Sequence, residues 1–128
     1  MIRGIGTDIA SVRRIALAIR RSGARFTTKI FTHTEILHCD SHPDRYRHYA
    51  GIFASKEAVL KAYGMGWYAT NWKNIEVVLQ DPHNPRINLY NRMKQESEKC
   101  SIAGMHLSVS LGSEYAVAVL VMEAYENH

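Results

Sequence analysis

Residues 105–122 read MHLSVSLGSEYAVAVLVM, and this stretch decides the fold class. In its first half Met105, Leu107, Val109 and Leu111 alternate with His106, Ser108 and Ser110, the period of a strand with one buried face. Gly112-Ser113 interrupts the pattern. From Tyr115 to Met122 every residue is apolar, as in a strand covered on both faces. So short a connection implies an antiparallel hairpin. Three further β-like segments precede it: Ile2 to Ala10, Ile75 to Leu79, and Arg86 to Leu89. The last two are joined through the turn Asp81-Pro82-His83-Asn84-Pro85.

Helical periodicity fills the intervals. Ser11 is a candidate N-cap, Val12, Ile15, Ala16 and Ile19 follow at helical spacing, and Gly23 closes the helix. A second short helix holds Phe26 and Ile30, and Thr32-His33-Thr34-Glu35 has the form of a capping box. Residues 38–45 read as a loop. From Arg45 to Tyr63 the period is again helical, closed by Gly64 and Gly66, and Asn91 to Cys100 forms a polar helix. The expectation is an α+β protein with one domain, 1–128, in which helices pack on an antiparallel sheet.

Composition narrows the function classes. A hydrophobic fraction of 46% with 22% charged residues excludes a disordered chain. The apolar run from Tyr115 to Met122 falls short of the roughly 20 residues of a membrane helix. Arg3 and Asp8 interrupt the N-terminus where a signal peptide needs an apolar core. A cytoplasmic protein is expected, in which Cys39 and Cys100 stay thiols. The net charge of +4 is unevenly placed: Arg3, Arg13, Arg14, Arg20, Arg21, Arg25 and Lys29 face Asp8 alone in residues 1–29. Such a field attracts an acidic partner. The aromatic interleaving of a nucleic-acid binder is missing, so no nucleic acid is expected.

Several residues break the surrounding pattern. Asp8 lies in an otherwise small and apolar strand, where a carboxylate needs a cation or donors beside it. It is either a metal ligand or general base, or a strand-end carboxylate capping the helix that begins near Ser11. Lys56 projects within the apolar stripe of Tyr49, Ile52, Phe53, Val59, Leu60 and Tyr63, so it must be paired or border a cavity. Glu57 and Lys61, four apart, share a flank with Ala50 and Ala54. Small residues there open the flank to a ligand or a second chain. The plainer alternative is a solvated i,i+4 pair worth roughly 0.2–0.5 kcal/mol. His33, His38, Cys39, His42 and His48 cluster in sequence. Zinc is conceivable there, but the spacing matches no closed four-ligand pattern and Pro43 would break a helix displaying His38 and His42. They read as loop histidines. Ser108, Ser110 and His106 could serve a hydrolase, without the G-x-S-x-G elbow.

Together these segments resemble the holo-[acyl-carrier-protein] synthases. The opening Gly4-Ile5-Gly6-Thr7-Asp8-Ile9 is similar to theirs, and residues 53–62, FASKEAVLKA, are similar to their central F-A-x-K-E-A-x-x-K-A helix. Gly64-Met65-Gly66 stands where the family has G-x-G. Phe26, Lys29, Ile30, Thr32 and Glu35 fit the intervening F-x-x-[RK]-I-x-T-x-x-E stretch, and Ser108 to Ala116 matches a late Ser-rich strand.

The resemblance implies a magnesium-dependent transferase. It would move 4′-phosphopantetheine from coenzyme A to a serine of an apo acyl carrier protein, for fatty acid biosynthesis, releasing adenosine 3′,5′-bisphosphate. It implies Asp8 and Glu57 as Mg²⁺ ligands, and Lys61 as the cation that offsets leaving-phosphate charge or donates its proton. The serine proton would pass to Glu57 or to a metal-ordered water. Asp8, Lys56, Lys61, Gly64, Gly66, Ser108 and Ser110 would contact coenzyme A. Arg13, Arg14, Arg20 and Arg21 would face the acidic carrier protein. A homotrimer with sites between subunits is also implied. Ile52, Met65, His83, Asn84 and Leu111 depart from the family pattern, at positions usually Arg, Thr, G-K of a G-K-P, and His. They leave room for a weakened paralogue that only binds carrier protein, or for a transferase dedicated to a specialised, polyketide-type carrier.

Overall fold

Strand β1 (Ile2–Ser11) passes directly into helix α1 (Val12–Ser22), and Ser11 marks the change. Its hydroxyl accepts the Arg14 N–H at 3.2 Å, satisfying one of the free donors of the first turn. Val12, Ile15, Ala16 and Ile19 are the buried stripe, as the periodicity predicts. Helix α2 (Ala24–Ile30) follows Gly23, and α3 (His33–Asp40) starts at a complete Thr32/Glu35 capping box. Helix α4 (Arg45–Tyr63) ends at Gly64, whose φ of 72° only glycine adopts freely. A 3₁₀ turn (Trp72–Asn74) leads into β2 (Ile75–Val78), then β3 (Arg86–Leu89), α5 (Asn91–Lys99), β4 (Ile102–Leu111) and β5 (Tyr115–Ala124). The computed structural model describes residues 1–66, 70–81 and 83–126; Pro82 of the expected turn lies outside them.

Among the described residues the strands form two antiparallel sheets rather than one: β1-β5-β4 and β2-β3. Register in the larger sheet sorts its residues cleanly. On one face the rows Gly4–Met122–Met105, Gly6–Leu120–Leu107, Asp8–Ala118–Val109 and Ala10–Ala116–Leu111 lie toward α4. On the other face stand Ile5–Val121–His106, Thr7–Val119–Ser108 and Ile9–Val117–Ser110.

Helix α4 lies on the first face at backbone distance. A Cβ on Gly6 would sit 1.8 Å from the Ala58 carbonyl oxygen, and one on Gly4 2.2 Å from that of Ala62. Neither position has room for a side chain. Gly51 plays the same part from the helix side, where a Cβ would meet Leu111 Cδ2 at 2.3 Å.

Three expectations are corrected. Residues 38–40 are helical rather than loop, because the capping box starts α3 early enough for it to reach Asp40. Ala50 and Ala54 are fully buried, so their flank does not wait for a second chain. Strand β5 is covered on one face only, leaving Tyr115, Val117 and Val119 exposed.

Candidate active site

The glycine contacts carry β1 across α4 and bring Asp8 beside Glu57 and Lys61. Asp8 does not cap α1; Ser11 does. Asp8 sits on the helix-facing side of the edge strand, its side chain 13% exposed, and Lys61 Nζ donates to its Oδ1 at 2.9 Å. The same ammonium donates to the Thr7 carbonyl at 3.0 Å, so Lys61 is anchored to β1 at two points. Its partner is therefore the strand, 53 residues away, rather than the helical neighbour Glu57 expected from spacing.

Charges in this group act on one another. Burial raises the Glu57 carboxyl above its ordinary value, and the negative charge of Asp8 raises it further, while Lys61 pulls the other way. The hydrogen bond to Asp8 holds Lys61 in its cationic form. Two carboxylates within electrostatic reach, one of them partly desolvated, favour any cation placed between them. They are hard oxygen donors, the kind that Mg²⁺ takes, one or two at a time.

Lys56 does not join this group, which corrects its expected place among the coenzyme A contacts. It points to the opposite side of α4 and is fully buried. Its ammonium lies 2.8 Å from Glu35 Oε1, 2.9 Å from the Ile30 carbonyl and 3.1 Å from that of Trp72. Three donors meet three acceptors, leaving none for a ligand. Burial pulls Lys56 below the usual lysine range and pushes Glu35 above the usual carboxylate range, each moderated by the other's charge. Glu35 was legible only as a capping residue; its role as the partner of Lys56 has no local signal.

Ser108 and Ser110 are not brought to Asp8 within the chain. They lie on β4, across β5 from β1, and on the opposite face of the sheet. Gly64 is exposed at the end of α4, and Gly66 follows it half-buried. Arg13, Arg14, Arg20 and Arg21 are all exposed on α1. Arg14 borders a cleft of about 300 Å³ that also takes in Ile9, Ser11, Ala18, Phe26 and Phe53. Arg20 lies over the Tyr46 ring at 5.3 Å. Of the departures from the family pattern, Ile52 is fully buried and Leu111 packs on Gly51, so both are absorbed by the core.

Fold, glycine-set strand and paired carboxylates agree with what comparison finds. A sequence model of the 4′-phosphopantetheinyl transferase superfamily matches residues 4–120, and the chain belongs to that family. Over 124 residues it is 37% identical to the holo-[acyl-carrier-protein] synthase of Koribacter versatilis, spanning 96% of this chain and 99% of the relative. Its backbone is similar to the crystal structure of holo-[acyl-carrier-protein] synthase from Neisseria meningitidis, with a TM-score of 0.86 and 31% identity over 96% of this chain and 99% of that one. The Helicobacter pylori holo-[acyl-carrier-protein] synthase in complex with coenzyme A is also similar: TM-score 0.80, 29% identity, 93% and 99% coverage.

Proposed function

We propose that this chain is a Mg²⁺-dependent holo-[acyl-carrier-protein] synthase. It transfers 4′-phosphopantetheine from coenzyme A to a serine of an apo acyl carrier protein and releases adenosine 3′,5′-bisphosphate. The observation that carries this is the convergence of Asp8 and Glu57, from β1 and α4, beside an anchored Lys61. Relatives named for this activity, one of them solved with coenzyme A, support it.

Asp8 and Glu57 would hold Mg²⁺, which when bound supplies a Lewis acid that neutralises charge at the transferred phosphorus. The serine oxygen forms a bond to that phosphorus as the phosphoanhydride bond to the adenosine bisphosphate breaks. Glu57, or a water ordered by the metal, would take the serine proton. Lys61, placed beside Asp8, would offset charge on the departing phosphate or donate a proton to it. Asp8→Ala and Glu57→Ala each abolish the phosphopantetheine mass gain of the carrier at saturating Mg²⁺, with circular dichroism unchanged. Full transfer by either variant overturns the assignment.

The assembly in this proposal is a cyclic homotrimer with coenzyme A between chains. Ile5 (58% exposed), Ile9 (60%), Val117 and Val119 (38% each) form an apolar sheet face that an isolated subunit leaves to water. Ser108 and Ser110 lie on that face, away from Asp8 of their own chain, so they reach a ligand only across a subunit boundary. A closed ring satisfies every copy of such a contact. Light scattering at low micromolar concentration checks it, and a stable, active monomer overturns it. The exposed arginines of α1 dock the acidic carrier. Arg14→Ala raises the KM for carrier about fivefold, equivalent to ~1 kcal/mol, with kcat little changed, and added salt mimics it. A raised KM for coenzyme A instead assigns Arg14 to that site. Among the described residues no helix is long and apolar enough to cross a membrane. Cys39 and Cys100 are free thiols, consistent with the cytoplasm as the enzyme's compartment.

A further inference from the structure

At the other end of α4, three histidines meet. His38 lies in the last turn of α3, His42 in the turn that follows, and His48 in the first turns of α4. Pro43 does not separate them. Helix α3 stops at Asp40, and the His42 N–H returns to the Cys39 carbonyl at 3.1 Å, folding the turn back on the helix. One ring nitrogen from each residue lies within 4.8 Å of the other two. Ring centroids are 4.7 Å apart for His38 and His42, 5.3 Å for His38 and His48, and 3.9 Å for His42 and His48.

The hydrogen bonds decide which nitrogens are free. His42 Nδ1 is 2.7 Å from the His38 carbonyl and 3.2 Å from Ser41 Oγ. Donating to that carbonyl, it leaves Nε2 with its lone pair. His48 Nε2 faces Asp44 Oδ1 at 3.4 Å, which fixes its proton there and leaves Nδ1 free. His48 Nδ1 and His38 Nε2 are both buried with no hydrogen-bond partner among the described residues. Unpaired buried nitrogens are costly unless something occupies them. His42 and His48 each bond through one nitrogen, to a carbonyl and to a carboxylate, the arrangement of metal-ligating histidines.

We infer that His38, His42 and His48 bind one Zn²⁺ ion, at a site separate from Asp8 and Glu57. Three imidazoles suit zinc, whereas Mg²⁺ prefers oxygen. The cluster opens on a cleft of about 500 Å³ bordered by Thr34, Leu37 and Gln80, with room for water as fourth ligand. His48 and Glu57 are separated by nine residues, about 13 Å of helix rise, so the two ions would not share a ligand. Bound zinc ties the end of α3 to the start of α4 across the exposed turn at Ser41, Pro43 and Asp44.

The test uses the full-length chain after chelator dialysis, with excess Mg²⁺ present. Zn²⁺ titrated by calorimetry is expected to bind at one equivalent and to raise Tm. Co²⁺, used as a visible probe, is expected to give the intense d–d bands of four-coordinate cobalt. His42→Ala and the shape-conserving His48→Gln each weaken Zn²⁺ at least tenfold, while Asp8→Ala leaves it unchanged. Phosphopantetheine transfer by His42→Ala stays at the parent level, so the outcome is independent of the proposed transferase activity. Sub-stoichiometric zinc, zinc affinity unaltered in both histidine variants, or loss of zinc in Asp8→Ala overturns the site.

Discussion

Lys56 and Lys61 lie five residues apart on α4, and each binds a carboxylate. The Lys56–Glu35 pair is 0% exposed on both sides; in the Lys61–Asp8 pair the lysine is 52% exposed. The first pair has no solvent with which to exchange its contacts, so it can only hold the fold. The second sits at a rim, where Asp8 can trade an ammonium for another cation and Lys61 can turn to a phosphate. Burial, rather than residue type or ion pairing, separates a structural lysine from one available for chemistry.

The contrast can be broken by substitution. The largest loss of stability falls on Lys56→Ala, which strands the Glu35 carboxylate in the core and costs about 3–5 kcal/mol by urea denaturation. Lys56→Met with Glu35→Gln recovers only part of it, because an amide has one acceptor oxygen where the two Glu35 oxygens accept the Thr32 and Val77 N–H groups. A single variant within about 1 kcal/mol of the parent would mean that water reaches the pair. Next comes Gly6→Ala, whose Cβ meets the Ala58 carbonyl oxygen at 1.8 Å. It costs about 1–3 kcal/mol and, by shifting β1 off α4, lowers transfer in the folded fraction. Thr32→Ala removes one half of the α3 capping box and costs ~1 kcal/mol, with transfer unchanged. The smallest change in stability is expected for Lys61→Ala, under ~1 kcal/mol by thermal unfolding. Its kcat nonetheless falls at least tenfold. A large stability loss with preserved kcat would erase the distinction between the two lysines.

What the sequence discloses is what repeats locally. The stripe Val12, Ile15, Ala16 and Ile19, the Thr32/Glu35 box, the limits of α4 and the alternation of β4 follow from neighbours within a turn or two. Long-range pairing is absent from such patterns. Spacing alone offers Glu57 as the partner of Lys61, but the sheet supplies Asp8. The small residues at Ala50 and Ala54 announce a close approach without saying whose; it is the protein's own core. An all-apolar β5 looks covered on both faces because alternation is lost when both faces are apolar, yet within the chain only one face is covered. The histidines escape because Pro43 rules out one continuous helix, yet a helix, a turn and a second helix assemble them as well.

Glu35 carries one more consequence. Its two oxygens accept the Thr32 N–H at 2.8 Å and the Val77 N–H at 2.7 Å, and its charge holds Lys56. One carboxylate thus fastens the start of α3, the middle of β2 and the middle of α4, and none of the three can open without exposing the others' unmet bonds. These segments should behave as a single cooperative unit: in native-state hydrogen exchange, the amides of Thr32, Val77 and Leu60 are released together, with one shared opening free energy and one shared dependence on denaturant.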